Sequence, residues 1–368
     1  MLAARGQPLL AGRSRQSSAS APPVRAARSH GPKRAALQVV SYRTEVSEKL
    51  LKNAQQYARI TGAAGSMSRS DLSTSLEPLI GPHGITFLAD HVIYPHDRTK
   101  DVGSLVDSLS RQHAAYEHQV YRPVVSAVNE EAGVVFTAIY YVLRNRGPLL
   151  DVKEPTGRIS KGFLIDKMTF DKNTGRLVSS LVTRQLTAEE RDSLLEDPSS
   201  FQPAVVNEGE LVAVPNVVAG PNDYKYMGEM ITQWDSLWSS EAPLDQLNKV
   251  LDPNCRAHDG YGLSNKPNGI LWQGVNQARD TITSSHKTYE SRSQLVSYAV
   301  SYEHKLAFHH WRADAVARDD RRERPIEGVG LICFNEHLQI RDIYEFCMKE
   351  YPLRHIKQQQ KKKGWMPL

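Results

Sequence analysis

Two periods of apolar spacing follow one another along this chain, and they do so twice in the same order. Behind Thr44, a helix N-cap with Glu48 nearby, Val46, Leu50, Ala54, Tyr57 and Ala58 recur on one helical face. Gly62 to Ser70 breaks that pattern, Asp71 is placed to cap a short helix holding Leu72 and Leu76, and Val102, Leu105, Val106, Leu109 and Ala114 predict a longer helix over 100–116. The spacing then changes to the alternation of strands over 116–129, 133–145, 159–171 and 176–186, with a hairpin signal at Asp171 to Gly175. Thr187 and Glu190 form a capping-box signature for one more short helix.

After a segment rich in proline, the order begins again. Met227, Met230, Ile231, Trp234, Leu237 and Trp238 share a helical face, a short helix follows over 243–251, an irregular segment over 255–266 and a third helix over 274–285. Strands are predicted over 291–303, 305–317, 327–335 and 338–346. Helices followed by long antiparallel strands describe an α+β class in which a bent sheet wraps its helices. Specific residues support a repeat. His113-x-x-Tyr116-Glu117 and His286-x-x-Tyr289-Glu290 both stand where the long helix runs into the sheet, YPHD at 94–97 and RAHD at 256–259 stand at the same stage, and the glycine-led runs from Gly162 and Gly328 occupy equivalent strands. The expected organisation is a leader over 1–43, a first domain over 44–196, a linker over 197–225, a second domain over 226–354 and a basic tail over 355–368. An edge strand over 210–218 is the alternative to a plain linker.

Charge changes the picture at one end only. Arg5, Arg13, Arg15, Arg25, Arg28, Lys33, Arg34 and Arg43 precede the first acidic residue, Glu45. Of 46 basic residues, the remainder faces 41 acidic ones and leaves a net charge of −3, so the basic character belongs to the leader and argues against nucleic-acid binding. An Ala-, Arg- and Ser-rich stretch without acids predicts an organelle transit peptide, for a chloroplast or alternatively a mitochondrion. Cys255, Cys333 and Cys347 have neither disulfide nor zinc spacing and read as reduced, buried thiols. No apolar run is long enough for a membrane span, and neither a metal nor a cofactor is called for.

Trp311-Arg312, Glu327-Gly328-Val329, Phe334-Asn335-Glu336 and Leu338-Gln339-Ile340, with Gly147-Pro148-Leu149-Leu150, Thr156-Gly157-Arg158, Phe170-Asp171 and Gly175-Arg176-Leu177 in the first unit, resemble the NTF2-like superfamily and its SnoaL-like branch. The resemblance covers about 45–190 and 226–352. It implies two tandem cone-shaped domains, each with a pocket at its wide end, pairing through the outer faces of their sheets as a pseudo-dimer. Members include isomerases, polyketide cyclases, dehydratases and epoxide hydrolases as well as transport and assembly modules, so the fold leaves function open. The cyclases carry a Gly-Thr-His stretch; the comparable segments here, Arg146-Gly147-Pro148 and Asp314-Ala315-Val316, have no such histidine.

If the last strand turns its Asp342 face into the second cone, Asp342 is the candidate base and Tyr344 or His310 the candidate hydrogen-bond donor. Alternation puts His310, Arg312 and Asp314 on one face with Phe308, and His309 and Trp311 on the other. His258, Asp259, Trp311 and Arg312 are candidate ligand contacts, His258-Asp259 being equally a turn and Arg312 equally an ion-pair partner of Asp342. In the first unit Asp166 and Lys167 are offered as site groups but read more simply as the exposed positions of a half-buried sheet. The primary reading is a non-catalytic binding or assembly module for an organellar protein or a small apolar ligand. The alternative is an acid/base isomerase, cyclase or dehydratase working in the second domain.

Overall fold

Residues 44–89, 98–99, 101–150, 152–194, 221–261 and 269–347 are described in the structure, which is a computed structural model. The leader, most of the linker, YPHD at 94–97 and the basic tail lie outside them.

The first half opens with α1 (Glu45–Ala63), whose N-cap Thr44 accepts from the Ser47 amide. α2 (Arg69–Leu76) begins three residues earlier than Asp71 as a cap suggests, because Ser68 is the N-cap and accepts from the Asp71 amide. A short hairpin, β1 (Thr86–Ala89) and β2 (Arg98–Thr99), leads to α3 (Val102–Ala115), capped by Asp101 and Ser104 in a reciprocal box. Four long strands follow, β3 (Tyr116–Asn129), β4 (Val134–Asn145), β5 (Ile159–Phe170) and β6 (Leu177–Arg184), and the half ends with α4 (Ala188–Leu194). Thr187 and Glu190 make the expected capping box: the Thr187 amide donates to Glu190 Oε2, and the Glu190 amide donates to Thr187 Oγ1.

The second half repeats this order. α5 (Pro221–Ser236) takes in residues 221–225, which the sequence pattern assigns to the linker. After the short α6 (Leu247–Val250) comes β7 (Leu251–Asp259), where an irregular segment is predicted. Cys255 and Ala257 on it are buried in the core and the strand pairs with β12, so tertiary contact overrides a weak local pattern. β8 (Ile270–Gln273), α7 (Gly274–Thr288), β9 (Tyr289–Ser301), β10 (Leu306–Ala317), β11 (Ile326–Phe334) and β12 (Ile340–Cys347) complete the half.

The α+β class is as predicted, with two bent sheets of six strands, each wrapped on its own helices. Their orders, β2-β1-β6-β5-β4-β3 and β8-β7-β12-β11-β10-β9, are the same. The four long strands of each are antiparallel, and each sheet has one parallel pairing, β1 with β6 or β7 with β12. Register shifts at His118/Val120 and Pro123/Val125 in the first sheet, and at His310/Trp311 in the second, supply local bends.

Both faces of each sheet are covered. Leu50, Leu76, Leu105, Val135 and Met168 join helices to the inner face of the first sheet, and Met227, Trp234, Ile282, Ala307 and Ile343 do so in the second. The outer faces form one shared cluster in which Phe136, Phe163 and Ile165 meet Phe308, Val329, Leu331, Tyr344 and Phe346. Phe136 stacks on Phe308 with ring centroids 5.6 Å apart, and Phe163 meets Phe346 edge-on at 5.4 Å. Cys255 and Cys333 are buried free thiols and Cys347 is half-buried.

Candidate functional site

In the second half, Asp235, His309 and Glu345 come together where a pocket is expected from the resemblance. His309 Nδ1 lies 3.1 Å from Asp235 Oδ1, and its Nε2 lies 3.0 Å from Glu345 Oε1 in an ionic contact with poor hydrogen-bond direction. Burial alone would lower the imidazole pKa, but the two carboxylates outweigh it and hold it up at about 10. Gly330 sits opposite His309, and a side chain there would collide with the ring. Trp311, on the same face, donates from Nε1 to Glu345 Oε2 at 3.0 Å. An imidazolium clamped between two carboxylates, among packed tryptophan and methionine side chains, occupies this part of the cone.

The residues singled out from the sequence lie elsewhere. Asp342 and Tyr344 share a face, as expected, but it is not the cone interior. Ile343 is the residue pointing into the helical core, and Tyr344 belongs to the cluster between the sheets. Asp342 is fully buried and bound by Arg256 Nε at 2.7 Å, Arg341 Nε at 2.8 Å and His258 Nε2 at 3.4 Å. Burial would raise its pKa, but these three groups hold it well below the usual carboxylate range, which suits an ion-pair anchor and not a base. Arg312 does not pair with it; that side chain is exposed and contacts Asp314 at 3.3 Å. His310 faces the first half, with Lys167 Nζ 2.5 Å from its Nδ1 and Glu327 Oε1 2.5 Å from its Nε2. His258 stacks on Tyr344, ring centroids 4.5 Å apart, and Asp259 accepts from the Tyr261 amide in the turn that ends β7. Thus Asp342, Tyr344 and His258 form one cluster, while His310, Trp311, Arg312 and Asp259 serve four separate places.

An open cavity of about 470 Å³ lies instead in the first half, walled by α1, α3, the inner face of the sheet and Pro148 to Leu150. Its volume falls within the range of pockets for drug-sized ligands. Tyr57, Tyr116, Tyr121, Tyr141, Leu109 and Leu164 give it a largely aromatic and aliphatic lining. Alternation along β5 turns Leu164, Asp166 and Met168 inward and sends Phe163, Ile165 and Lys167 to the other side. Asp166 is therefore a carboxylate on an apolar wall, almost fully buried. Its Oδ1 accepts from Ser180 Oγ at 2.7 Å, and its Oδ2 has no hydrogen-bond partner among the described residues. Desolvation pushes its pKa up to about 7 against the one opposing hydrogen bond from Ser180.

The other polar groups around this cavity are mostly committed. Tyr141 donates to the Gln185 carbonyl at 2.7 Å, lying over Gly162, where a Cβ would stand 2.7 Å from its hydroxyl. Tyr116 bonds Thr187 at 2.5 Å, and Tyr121 is held by Thr61. Arg184 grips Glu190 in a two-point pair at 2.7 and 2.5 Å. The Tyr57 hydroxyl is buried beside Ser180 without a well-formed hydrogen bond. His118 stacks on Tyr121, and burial holds its pKa down at about 3, so its ring is neutral.

No family profile matches this sequence, and no curated protein matches it. Several solved structures resemble part of it. An epoxide hydrolase/cyclase-like enzyme, SalBIII, of pyran ring formation in salinomycin is 14% identical over 34% of this chain and 92% of its own, with a TM-score of 0.29. A cystatin-like fold protein of unknown function from Methylobium petroleophilum is 15% identical over 34% and 76%, at 0.28. An LEH-like epoxide hydrolase of M. tuberculosis is 6% identical over 34% and 84%, also at 0.28.

The two halves differ at one pair of matched positions. Thr137 is the fourth residue of β4 and His309 the fourth of β10, and their partners across the ladder are Asp166 and Gly330. In the first half a carboxylate faces open space. In the second, glycine makes room for an imidazole that fills it. Asp166, whose simpler reading from alternation is an exposed position, is buried; the run Phe163 to Ile165 beside it, apolar on both strand faces, is the signal in the sequence that this strand is covered on two sides.

Proposed function

We propose that this protein is a small-ligand binding module whose first cone holds the ligand and whose second is a scaffold. The observation that carries this is the contrast between the cavity around Asp166 and the matched place filled by His309. The ladder order and the paired histidines at the helix ends support descent of the halves from one duplicated NTF2-like unit. Contact between their outer sheet faces supports reading them as an internal pseudo-dimer. The composition of residues 1–43 supports import into a chloroplast, with a mitochondrion as the alternative, and a fusion of that segment to a fluorescent protein tests it.

The neutral fluorophore N-phenyl-1-naphthylamine tests the cavity. The full chain is expected to bind it with enhanced emission, and Val182→Phe, which adds a ring to the cavity wall, to weaken binding at least tenfold while leaving the circular dichroism spectrum unchanged. Equal binding by both proteins would show that the fluorophore sits elsewhere.

A second reading, acid/base catalysis, has one specific support: a carboxylate with a pKa of about 7 is well matched to a general base at neutral pH. Against it stands the shortage of an electrophilic partner. The hydroxyls of Tyr116, Tyr121 and Tyr141 are committed to protein groups, and that of Tyr57 is buried within the wall. Binding is therefore the function this geometry supports best.

A further inference from the structure

Asp, when fully buried in a protein, is almost always paired. Two buried carboxylates of the second half follow this rule: Asp342 has Arg256 and Arg341, and Asp235 has His309. Asp166 does not. It is as deeply buried, its one hydrogen-bond partner is the neutral Ser180, and no cation pairs with it among the described residues. The cationic groups around the cavity are accounted for. Arg184 is held by Glu190, Arg111 is solvent-exposed at the rim, and His118 is neutral.

We infer that the missing partner is supplied by the ligand, and that the first cone takes an organic amine whose protonated nitrogen pairs with Asp166 Oδ2 while its apolar body lies among the tyrosine and leucine side chains. This rests on the binding reading above and narrows it to a chemical class. An ammonium group restores the charge balance that burial has denied Asp166. A carboxylate or phosphate ligand would set a second negative charge beside it, and an alcohol would satisfy the oxygen without balancing the charge. Tyr57 and Tyr121, whose phenols are pushed up in pKa by burial and by the Asp166 charge, show that this carboxylate's field is felt across the cavity wall. Their rings offer a cation aromatic surroundings as it leaves water.

Three naphthalene probes of one size separate the possibilities: 1-naphthylmethylamine, 1-naphthylmethanol and 1-naphthoate, titrated calorimetrically into the full chain at about pH 8, above the Asp166 pKa. The amine is expected to bind at least tenfold more tightly than the alcohol, and the acid most weakly. Asp166→Asn preserves shape and an acceptor for Ser180; in it the amine's advantage over the alcohol is expected to disappear. A measurement on the unaltered chain guards against misfolding of the variant. The amine's advantage should shrink as pH falls from about 8 to about 6, because Asp166, pushed up to about 7 by burial, takes up a proton there, while burial holds the His118 pKa far below that range and those of Tyr57, Tyr116 and Tyr121 above it.

An alcohol bound as tightly as the amine, or an amine preference that survives Asp166→Asn, overturns the inference and leaves the binding reading standing. Failure of all three probes to bind overturns both.

Discussion

Asp166 carries a cost that can be measured without any ligand. Its folded pKa of about 7 lies above the ordinary aspartate value of about 3.9, so the folded state holds this proton more tightly than the unfolded chain. The sign follows directly: stability from this group is full below about pH 4, falls as pH rises, and is gone above about pH 7. A shift of about three units corresponds to at most on the order of 4 kcal/mol. Asp166→Asn is therefore expected to be more stable than the parent at about pH 8 and nearly equal to it at about pH 4, read from urea unfolding midpoints. Greater stability of the parent at about pH 8 would mean that the carboxylate already has a counter-charge. A group that destabilises the empty fold is the usual mark of a functional position.

The residue scale also shows why periodicity points to the second cone while the open cavity lies in the first. Alternation along a strand tells inside from outside only when one face meets water. Here neither does: Leu306 to His310 are five successive buried residues, odd ones facing helices and even ones facing the other sheet. Grouping His310 with Phe308, and Asp342 with Tyr344, was sound from periodicity alone. Which group faced the cone was not encoded in it. Arg256 and Arg341, which neutralise Asp342, come from a strand read as irregular and from the opposite set of the same strand.

At the scale of elements much more was legible. The N-cap at Thr44, the hairpin at Asp171 to Gly175, the capping box at Thr187 and the order of long strands follow from local chemistry, and all are present. The paired histidines illustrate how far this reaches. His113 ends α3 and its Nε2 lies 3.0 Å from the Thr61 carbonyl near the end of α1; His286 ends α7 and its Nε2 lies 3.0 Å from the Leu237 carbonyl just beyond α5. Each ring fastens the long helix of its half to the exit of that half's first helix. A part-buried hydrogen bond of this kind is worth about 1 kcal/mol. His286→Phe, which keeps the ring and removes the bond, is expected to cost about that much and to speed amide exchange at the end of α5 without changing the first half. Unchanged exchange there would remove the latch from the account.

Across the whole molecule, the shared cluster between the sheets ties the halves together more firmly than a chain connection would. Phe136, Phe163, Phe308 and Phe346 are all fully buried, and each is covered by the opposite half. Burying one such side chain is worth about 1.5–3 kcal/mol. The intact protein is thus expected to unfold in one cooperative transition, and a chain ending at residue 196 to self-associate in sedimentation at concentrations where the full chain does not. A monomeric, fully folded first half would show that its outer face needs no cover.

That mutual covering also sets a clock on synthesis. The first half is complete at α4, which ends at Leu194, yet the partner strands for its outer face are not finished until Cys347. At roughly 5–20 residues per second, translation leaves Phe136 and Phe163 uncovered for about 8 to 30 s. During that interval the nascent chain displays a wide apolar surface to everything around the ribosome. Slow codons between the halves would lengthen the moment at which that surface is bare.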